Sequence, residues 1–307
     1  MNQTQVVNQF QEHRPLLFNI AYRMLGTAME AEDMVQETYL RWREVEFSQV
    51  ENPRAFLTTI VTRLAIDHLR SAQVRRETYP GPWLPEPVFT SSVAGPDDTV
   101  AMKESLSIAY LLMLERLSPT QRAAFVLHDL FDYDYAEVAA ILETSEANSR
   151  QLVSRARSKM AAEPQVPLLK AEEEEAELLQ QFISASIQGD VEIILELLAP
   201  DVTLVADGGG KVPSAMAPLH GAEAVSRLMV GIGRMAAPGM YLRVLGLNGQ
   251  NALAVYQPDG WLEMLYFPVV RDSRLQALYI MRNPDKLRLP EEIVRRESEP
   301  ISLQQFT

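Results

Sequence analysis

The chain has 307 residues, 47% hydrophobic side chains, a formal net charge of −13 and no cysteine. That length supports about two or three domains, each with enough apolar side chains for a core, and the lack of cysteine excludes a disulfide framework, a thiolate nucleophile and a cysteine zinc site. The acidic balance argues against a protein that holds free nucleic acid through bulk charge.

The opening MNQTQVVNQFQEHR lacks the basic-then-apolar layout of a signal peptide. No apolar run reaches the roughly 18–20 residues of a membrane span, so the expectation is a soluble, cytoplasmic protein that touches no membrane. A helical domain begins near Gln9. Thr27 and Glu30 read as a capping box for a helix to about Trp42, with Ala31, Val35, Tyr39 and Trp42 inward and Glu32, Asp33, Gln36, Glu37 and Arg41 outward. Asn52 and Pro53 then start a helix that packs through Phe56, Leu57, Ile60, Val61 and Leu64, projects Arg63, Asp67 and Arg70, and runs into Arg75 and Arg76. Taken alone, this stretch is also what an ordinary helical bundle looks like. Next comes ETYPGPWLPEPVFTSSVAGPDD, whose five prolines favour an extended linker. Trp83 and Leu84 are costly to leave in water, so WLPEP is expected to dock, by packing on a neighbouring domain in preference to an external partner. A helix is expected from about Asp98 to Leu117.

From Leu117 to Met160 the pattern is two capped helices and a third with a basic stripe. Ser118, Pro119 and Gln121 form one capping box, Asp134 and Glu137 a second, and Ser145 caps the third helix. On that helix Ser149, Leu152, Val153, Ala156 and Met160 share one side, while Arg150, Gln151, Ser154, Arg155 and Ser158 fall on or beside the other. Arg, Gln and Ser are the side chains that read purine edges and phosphates in a major groove, so the segment reads as a DNA-binding helix-turn-helix. From Ser145 to Ala162 four basic residues, Arg150, Arg155, Arg157 and Lys159, face the single acid Glu146. A solvated surface helix would show the arginines without the tandem caps and tight turn. In so acidic a chain the helix needs a partner that brings DNA to it.

In order, the acidic helix around AEDMVQETYLRW, the segment NPRAFLTTIVTRLAIDHLR, the linker and the helix-turn-helix resemble the extracytoplasmic-function (ECF) sigma factors of bacterial RNA polymerase. The resemblance implies all-α sigma region 2 over residues 1–77, the linker over 78–97 and all-α helix-turn-helix sigma region 4 over 98–162. It places Asp33, Gln36 and Glu37 on the surface that docks on the clamp helices of core RNA polymerase. Asn52, Arg54, Arg63, Asp67 and Arg70 would handle the minus-ten element, and Arg150, Gln151, Ser154, Arg155 and Arg157 the minus-thirty-five element of promoter DNA. Glu143 stands where such turns often carry Gly, and Arg63 where many members have Asn.

Beyond a connector, AAEPQVPLLK, the pattern turns α+β. A helix with an acidic first turn is followed by one at Val191–Leu198, a strand DVTLVAD, a Gly-rich loop, a helix from Ala222 to Met235, and strands at Tyr241–Leu247, Ala252–Tyr256, Trp261–Val269 and Arg274–Met281, read as a curved antiparallel sheet. This resembles the SnoaL-like branch of the nuclear-transport-factor-two-like cone fold, over 163–290, with a tail at 291–307. Three strings, WLPEP (Trp83, Leu84, Pro85, Glu86, Pro87), DGGGK (Asp207, Gly208, Gly209, Gly210, Lys211) and NPDKL (Asn283, Pro284, Asp285, Lys286, Leu287), together resemble the signature of the ECF sigma factors with a fused SnoaL-like extension. The resemblance implies regulation in cis through these segments, with no separate anti-sigma factor, no metal and no cofactor. DGGGK is not a P-loop, because Val212 stands where Ser or Thr would bind magnesium. It also suits a plain tight turn, and NPDKL a solvated one.

Two rival readings remain at the level of sequence. The cone could be a cyclase or isomerase, or hold an unknown small ligand, with His220 or Asp207 as acid or base; His220 sits in a loop pattern and Asp207 beside a glycine turn, which leaves no catalytic residue assigned. A one-component regulator acting without polymerase would leave the first helical domain without a purpose.

Overall fold

The computed structural model describes residues 3–45, 50–93, 100–161 and 172–303. The chain forms two compact units, one of Met1–Thr78 with Tyr110–Gln165 and one of Tyr79–Ala109 with Val166–Thr307. Both helical domains thus share the first unit. The segment expected as a linker over 78–97, in which WLPEP is expected to dock, falls largely in the second, as does the expected opening of the helix-turn-helix domain at 98.

In the first unit, α1 (Gln3–Leu25), α2 (Ala28–Arg43) and α3 (Pro53–Glu77) bury Leu17, Ile20, Leu57, Val61 and Trp42, whose indole Nε1 donates to the Val6 carbonyl at 3.1 Å. Asn52 caps α3 as expected, accepting from the Ala55 amide at 3.1 Å. Thr27 does not form the expected box: its hydroxyl donates to the Glu30 carboxylate at 2.7 Å and accepts no backbone N–H. Nor is Tyr39 the inward residue of α2; Thr38 is, because its hydroxyl is satisfied by the Met34 carbonyl, while Tyr39 is half-buried against Phe10. The side chains of Arg75 and Arg76 lie outside the described residues, as do residues 162–171 and Pro96.

The helix expected from Asp98 to Leu117 is two pieces, α5 (Val100–Glu104) and α6 (Ile108–Leu114), preceded by a short α4 (Thr90–Val93). Two groups break it. The Ser105 hydroxyl bonds back to the Met102 carbonyl at 2.6 Å, and the Leu106 carbonyl is taken by Asn248, so neither supports a continuous ladder. Beyond it α7 (Pro119–Phe125) runs on through a π-turn at Val126–Leu130, followed by α8 (Tyr135–Ile141) and α9 (Glu146–Ala161). Both capping boxes are complete, at Ser118 with Gln121 and at Asp134 with Glu137.

The second unit is built on α10 (Glu172–Gln188), α11 (Val191–Leu197), β1 (Leu198–Asp207), β2 (Leu219–His220), α12 (Ala222–Gly233), β3 (Tyr241–Leu247), β4 (Gln250–Tyr256), β5 (Leu262–Arg271), β6 (Arg274–Met281), α13 (Glu291–Glu297) and β7 (Ile301–Ser302). The side chains of the glutamates that open α10 lie outside the described residues. The seven strands run in the order β2-β1-β6-β5-β4-β3-β7. Register shifts in β1, β4 and β5 curve the sheet around a core that includes Phe182, Ile194, Val225, Met229, Leu253 and Leu278. The sheet is mixed, and the expectation of an all-antiparallel one is corrected: β1 pairs with β6 in parallel, Asp207 against Met281. That pairing is local to two strands about 70 residues apart, and strand alternation alone does not report its direction. It brings the ends of β1 and β6, where DGGGK and NPDKL begin, to the same edge of the cone.

Candidate functional site

The exposed side of α9 carries Arg150, Gln151, Ser154 and Arg155, while Ser149, Val153, Ala156 and Met160 are buried. Ser149 fastens the helix to α8 by donating to the Tyr135 carbonyl at 2.8 Å. Arg150 lies 4.3 Å over the Tyr135 ring and pairs with Glu146 one turn back. Arg157 is differently employed. It makes a two-pronged bond to Asp129 at 2.7 and 2.8 Å, which raises its pKa and ties α9 to the π-turn. On α2, Asp33 and Gln36 are exposed, and Glu37 bonds Arg41 at 2.9 Å.

Two of the expected minus-ten residues are bound to the helix-turn-helix. Arg63 donates to the Ile141 carbonyl at 3.0 Å and the Ala140 carbonyl at 3.4 Å and pairs with Glu143 at 2.8 Å. A cation at the carbonyl end of α8 is favourably placed against the helix dipole. Glu143 sits at φ 50, so this turn does take the left-handed backbone that Gly would adopt without strain. Arg54 lies 5.2 Å over the Tyr133 ring, and the Tyr133 hydroxyl shares a buried 2.9 Å hydrogen bond with Thr58. Arg122 of α7, 2% exposed, donates to the Arg23 carbonyl near the end of α1 at 2.8 Å and to Glu115 at 2.5 Å. Burial lowers its pKa to about 9, still above neutral, and Glu115 supplies the counter-charge. Asn52 is used as a cap, and Asp67 and Arg70 pair with each other on the surface.

In the second unit the three motifs meet at one buried carboxylate. Asp207 is fully buried and accepts four hydrogen bonds: from the Tyr79 hydroxyl at 2.6 Å, the Leu84 amide at 2.9 Å, the Gly209 amide at 2.9 Å and the Lys286 ammonium at 2.7 Å. Lys286 also donates to the Leu84 carbonyl at 2.6 Å and lies 4.5 Å over the Trp83 ring and 5.1 Å over that of Tyr79. Asn283 donates to the Tyr79 hydroxyl at 2.8 Å, and its own Oδ1 accepts from the Asp285 amide. Burial, and after it the bond to Asp207, pushes the Tyr79 pKa well up, so its proton stays in place as a donor. The glycines are required by space as well as by backbone. A Cβ on Gly209, at φ 61, would stand 2.5 Å from the Asn283 side chain, and one on Gly210, at φ 69, would stand 2.5 Å from Pro80. Leu84, Pro85 and Pro87 are buried and Trp83 and Glu86 half-buried. Lys211 and Asp285 pair at 2.5 Å on the exposed rim, which lowers the Asp285 pKa.

A second staple holds the same segment, and sequence reasoning missed it. Asn248 is fully buried, accepts from the Val88 amide at 3.0 Å and donates to the Leu106 carbonyl at 3.0 Å, while the Gly249 amide donates to Thr90. These two residues, at φ 53 and 70, form the β3–β4 hairpin turn. Asn-Gly between alternating strands is the strongest short hairpin signal, and it was legible in LNGQ. Tyr79, just ahead of the WLPEP string, also escaped notice.

His220 lies on the edge strand β2 beside Thr203 at 3.2 Å, and Asp207 is enclosed by the docked segment, so neither lines the cavity of the cone. Among the described residues no His, Cys, Asp or Glu cluster is placed to hold a metal, and no helix is long and apolar enough to cross a membrane.

Residues 9–75 match Sigma-70 region 2, and residues 107–160 match Sigma-70, region 4. The chain is 40% identical over 289 residues to the ECF RNA polymerase sigma factor SigJ of Mycobacterium tuberculosis, across 91% of this chain and 92% of that protein. It belongs to the ECF sigma factors. This sigma factor is also 35% identical over 192 residues to the probable ECF RNA polymerase sigma factor SigI of the same organism, across 62% of this chain and 66% of that one. The crystal structure of SigJ resembles it with a TM-score of 0.70 at 36% identity, covering 91% of this chain and 97% of that one. The sigma factor therefore binds core RNA polymerase and promoter DNA through regions 2 and 4, followed by an α+β SnoaL-like domain.

Proposed function

We propose that this sigma factor directs promoter-specific initiation with core polymerase, docking through Asp33, Gln36 and Glu37 and reading the upstream element with Arg150, Gln151, Ser154 and Arg155. Its C-terminal domain regulates it in cis, in the cytoplasm and without a separate anti-sigma factor. The observation that carries the regulatory reading is the Arg63 guanidinium bonded to the end of α8, with Arg54 over Tyr133. Region 4 occupies side chains that the minus-ten element requires. The two promoter elements lie tens of ångströms apart on DNA with a rise of about 3.4 Å per base pair, so the regions must separate for both to be read. The segment between them, residues 79–109, packs with the C-terminal domain. A docked segment offers less reach than a free one, which favours the form with regions 2 and 4 together.

Two labels on a chain without cysteine test this directly. Gln11→Cys and Ser158→Cys place dyes on region 2 and region 4, and energy transfer is expected to fall when core polymerase and promoter DNA are added. Tyr133→Phe removes the bond to Thr58 while keeping the ring, a loss of about 1 kcal/mol, or roughly fivefold in the balance of forms. It is expected to lower energy transfer without polymerase and to raise run-off transcription. A folded Tyr133→Phe protein with both readings unchanged would sink the proposal.

A further inference from the structure

The concave side of the SnoaL-like domain holds a cavity of about 90 Å³ that the clamp around Asp207 does not use. Most of its wall is apolar, with Ile183 and Ile232 from the helices and Met229, Met240 and Met264 among the lining residues. Methionines give a lining that adapts to the shape of an occupant. The polar groups gather at one end. Arg282 donates to Glu263 Oε1 at 2.5 Å and to the Pro213 carbonyl at 2.6 Å, and Gln257 donates to Glu263 Oε2 at 3.1 Å. Both Glu263 oxygens are therefore engaged, and the ion pair is neutral as a whole. Arg282 Nε, buried, has no acceptor among the described residues.

Tyr266 stands at the same end, 2% exposed. Burial drives its pKa up, Arg282 pulls against that and Glu263 adds to it, so the ring presents a protonated phenol. A phenol in an apolar cavity selects an occupant that can accept a hydrogen bond. A carboxylate does not suit the site, because Glu263 already neutralises Arg282 and a third charge would be desolvated without a counter-ion. A cavity of about 150 Å³ takes benzene, so one of about 90 Å³ bounds the occupant at a short chain of fewer heavy atoms than benzene.

We propose that this cavity binds a small, neutral, mainly apolar molecule bearing one carbonyl-type acceptor, and that occupancy is transmitted to the docked segment through Arg282. The route is short. The Arg282 amide donates to the Asp207 carbonyl at 2.8 Å, and the next residue, Asn283, holds the Tyr79 hydroxyl. An occupant that reorients the Arg282–Glu263 pair acts on the strand end from which the clamp hangs. This transmission rests on the regulatory reading above; the binding site does not.

The test uses the full chain, with methionine methyls labelled for NMR, butanone as the neutral probe and propanoate as its charged counterpart of the same size. Butanone is expected to shift the Met229, Met240 and Met264 methyls saturably. Tyr266→Phe is expected to weaken that binding about 3- to 10-fold, the worth of one neutral hydrogen bond. The carboxylate is expected to bind at least about tenfold more weakly to the unmodified protein, an arm that needs no variant to fold. With 5-fluorotryptophan incorporated, the Trp83 signal, assigned with Trp83→Phe, is expected to move along the same saturation curve. Absence of saturable methyl shifts, equal binding of the carboxylate, or undiminished binding by Tyr266→Phe would overturn the site. Saturable methyl shifts with a motionless Trp83 signal would overturn the transmission. The regulatory reading is judged without any ligand, by the Tyr133→Phe measurements, so its failure is separable from either outcome.

Discussion

Replacing Asp207 by Ala removes the acceptor shared by Tyr79, Leu84, Gly209 and Lys286. Lys286 is only 9% exposed, so its ammonium is left buried without a counter-charge, a change that costs about 3–5 kcal/mol. Lys286 keeps the Leu84 carbonyl and two aromatic faces, which places the loss near the lower end, about 3 kcal/mol. The rim pair provides an internal standard. Lys211 and Asp285 have side chains 54% and 52% exposed, and such a pair contributes about 0–1 kcal/mol. Hydrogen exchange of the full chain over residues 79–93 separates the two cases, since about 1.4 kcal/mol is tenfold in an opening equilibrium. Asp207→Ala is expected to speed exchange of the Leu84 amide by roughly 100-fold, and Lys211→Ala by less than about fivefold, while regions 2 and 4 keep their protection. Run-off transcription is expected to shift in the same order. Equal effects of the two substitutions, or a Leu84 amide still protected in Asp207→Ala, would refute the assignment of Asp207 as the centre of the clamp.

Asn248→Ala strips the second staple and places a Cβ-bearing residue without a local hydrogen bond at φ 53. It is expected to cost about 2–3 kcal/mol of docking for residues 88–106, seen by exchange, whereas Asn248→Gly isolates the side-chain share. Arg155→Ala is expected to lose about 1–3 kcal/mol of discrimination at the upstream element in transcription from promoter variants. Arg150→Ala should lose less, since Arg150 must leave Tyr135 and Glu146 to reach a base, and Arg157→Ala should lower the melting temperature of the helix-turn-helix more than its specificity. Raising pH weakens the clamp through Tyr79. Below its ordinary pKa of 10.0 the phenol is protonated whether docked or free; above it the free form ionises first, because burial and Asp207 raise the docked value. Docking is therefore expected to decline as pH rises past about 10, followed by the fluorine signal of Trp83, and Tyr79→Phe should remove the dependence.

The capped helices of the helix-turn-helix were legible because their signals are local: each capping box lies within four residues, and the buried stripe of α9 repeats at helical spacing. Local reading failed where a distant group decided the outcome. The break at Ser105–Ser107 depends on Asn248, more than 140 residues away, which takes the Leu106 carbonyl. The strings WLPEP, DGGGK and NPDKL were found, but that they converge on one carboxylate follows from the parallel pairing of β1 with β6, which no periodicity encodes. Arg63 illustrates the limit at the site itself. Its position on the projecting side of α3 was readable, whereas its bonds to the end of α8 require knowing that the two helical regions pack in one unit.

The placement of Asp207 late in the chain has a consequence during synthesis. Regions 2 and 4 end by residue 160, whereas the clamp needs Asp207, Asn283 and Lys286, and so needs β6 to have left the ribosome. At about 5–20 residues per second, roughly 6 to 25 seconds of elongation separate completion of the DNA-reading helices from completion of Lys286. Each newly made molecule thus passes through an interval in which both readers exist and the segment between them is undocked. Under the proposed regulation in cis, translation itself opens a short window for polymerase before the segment docks.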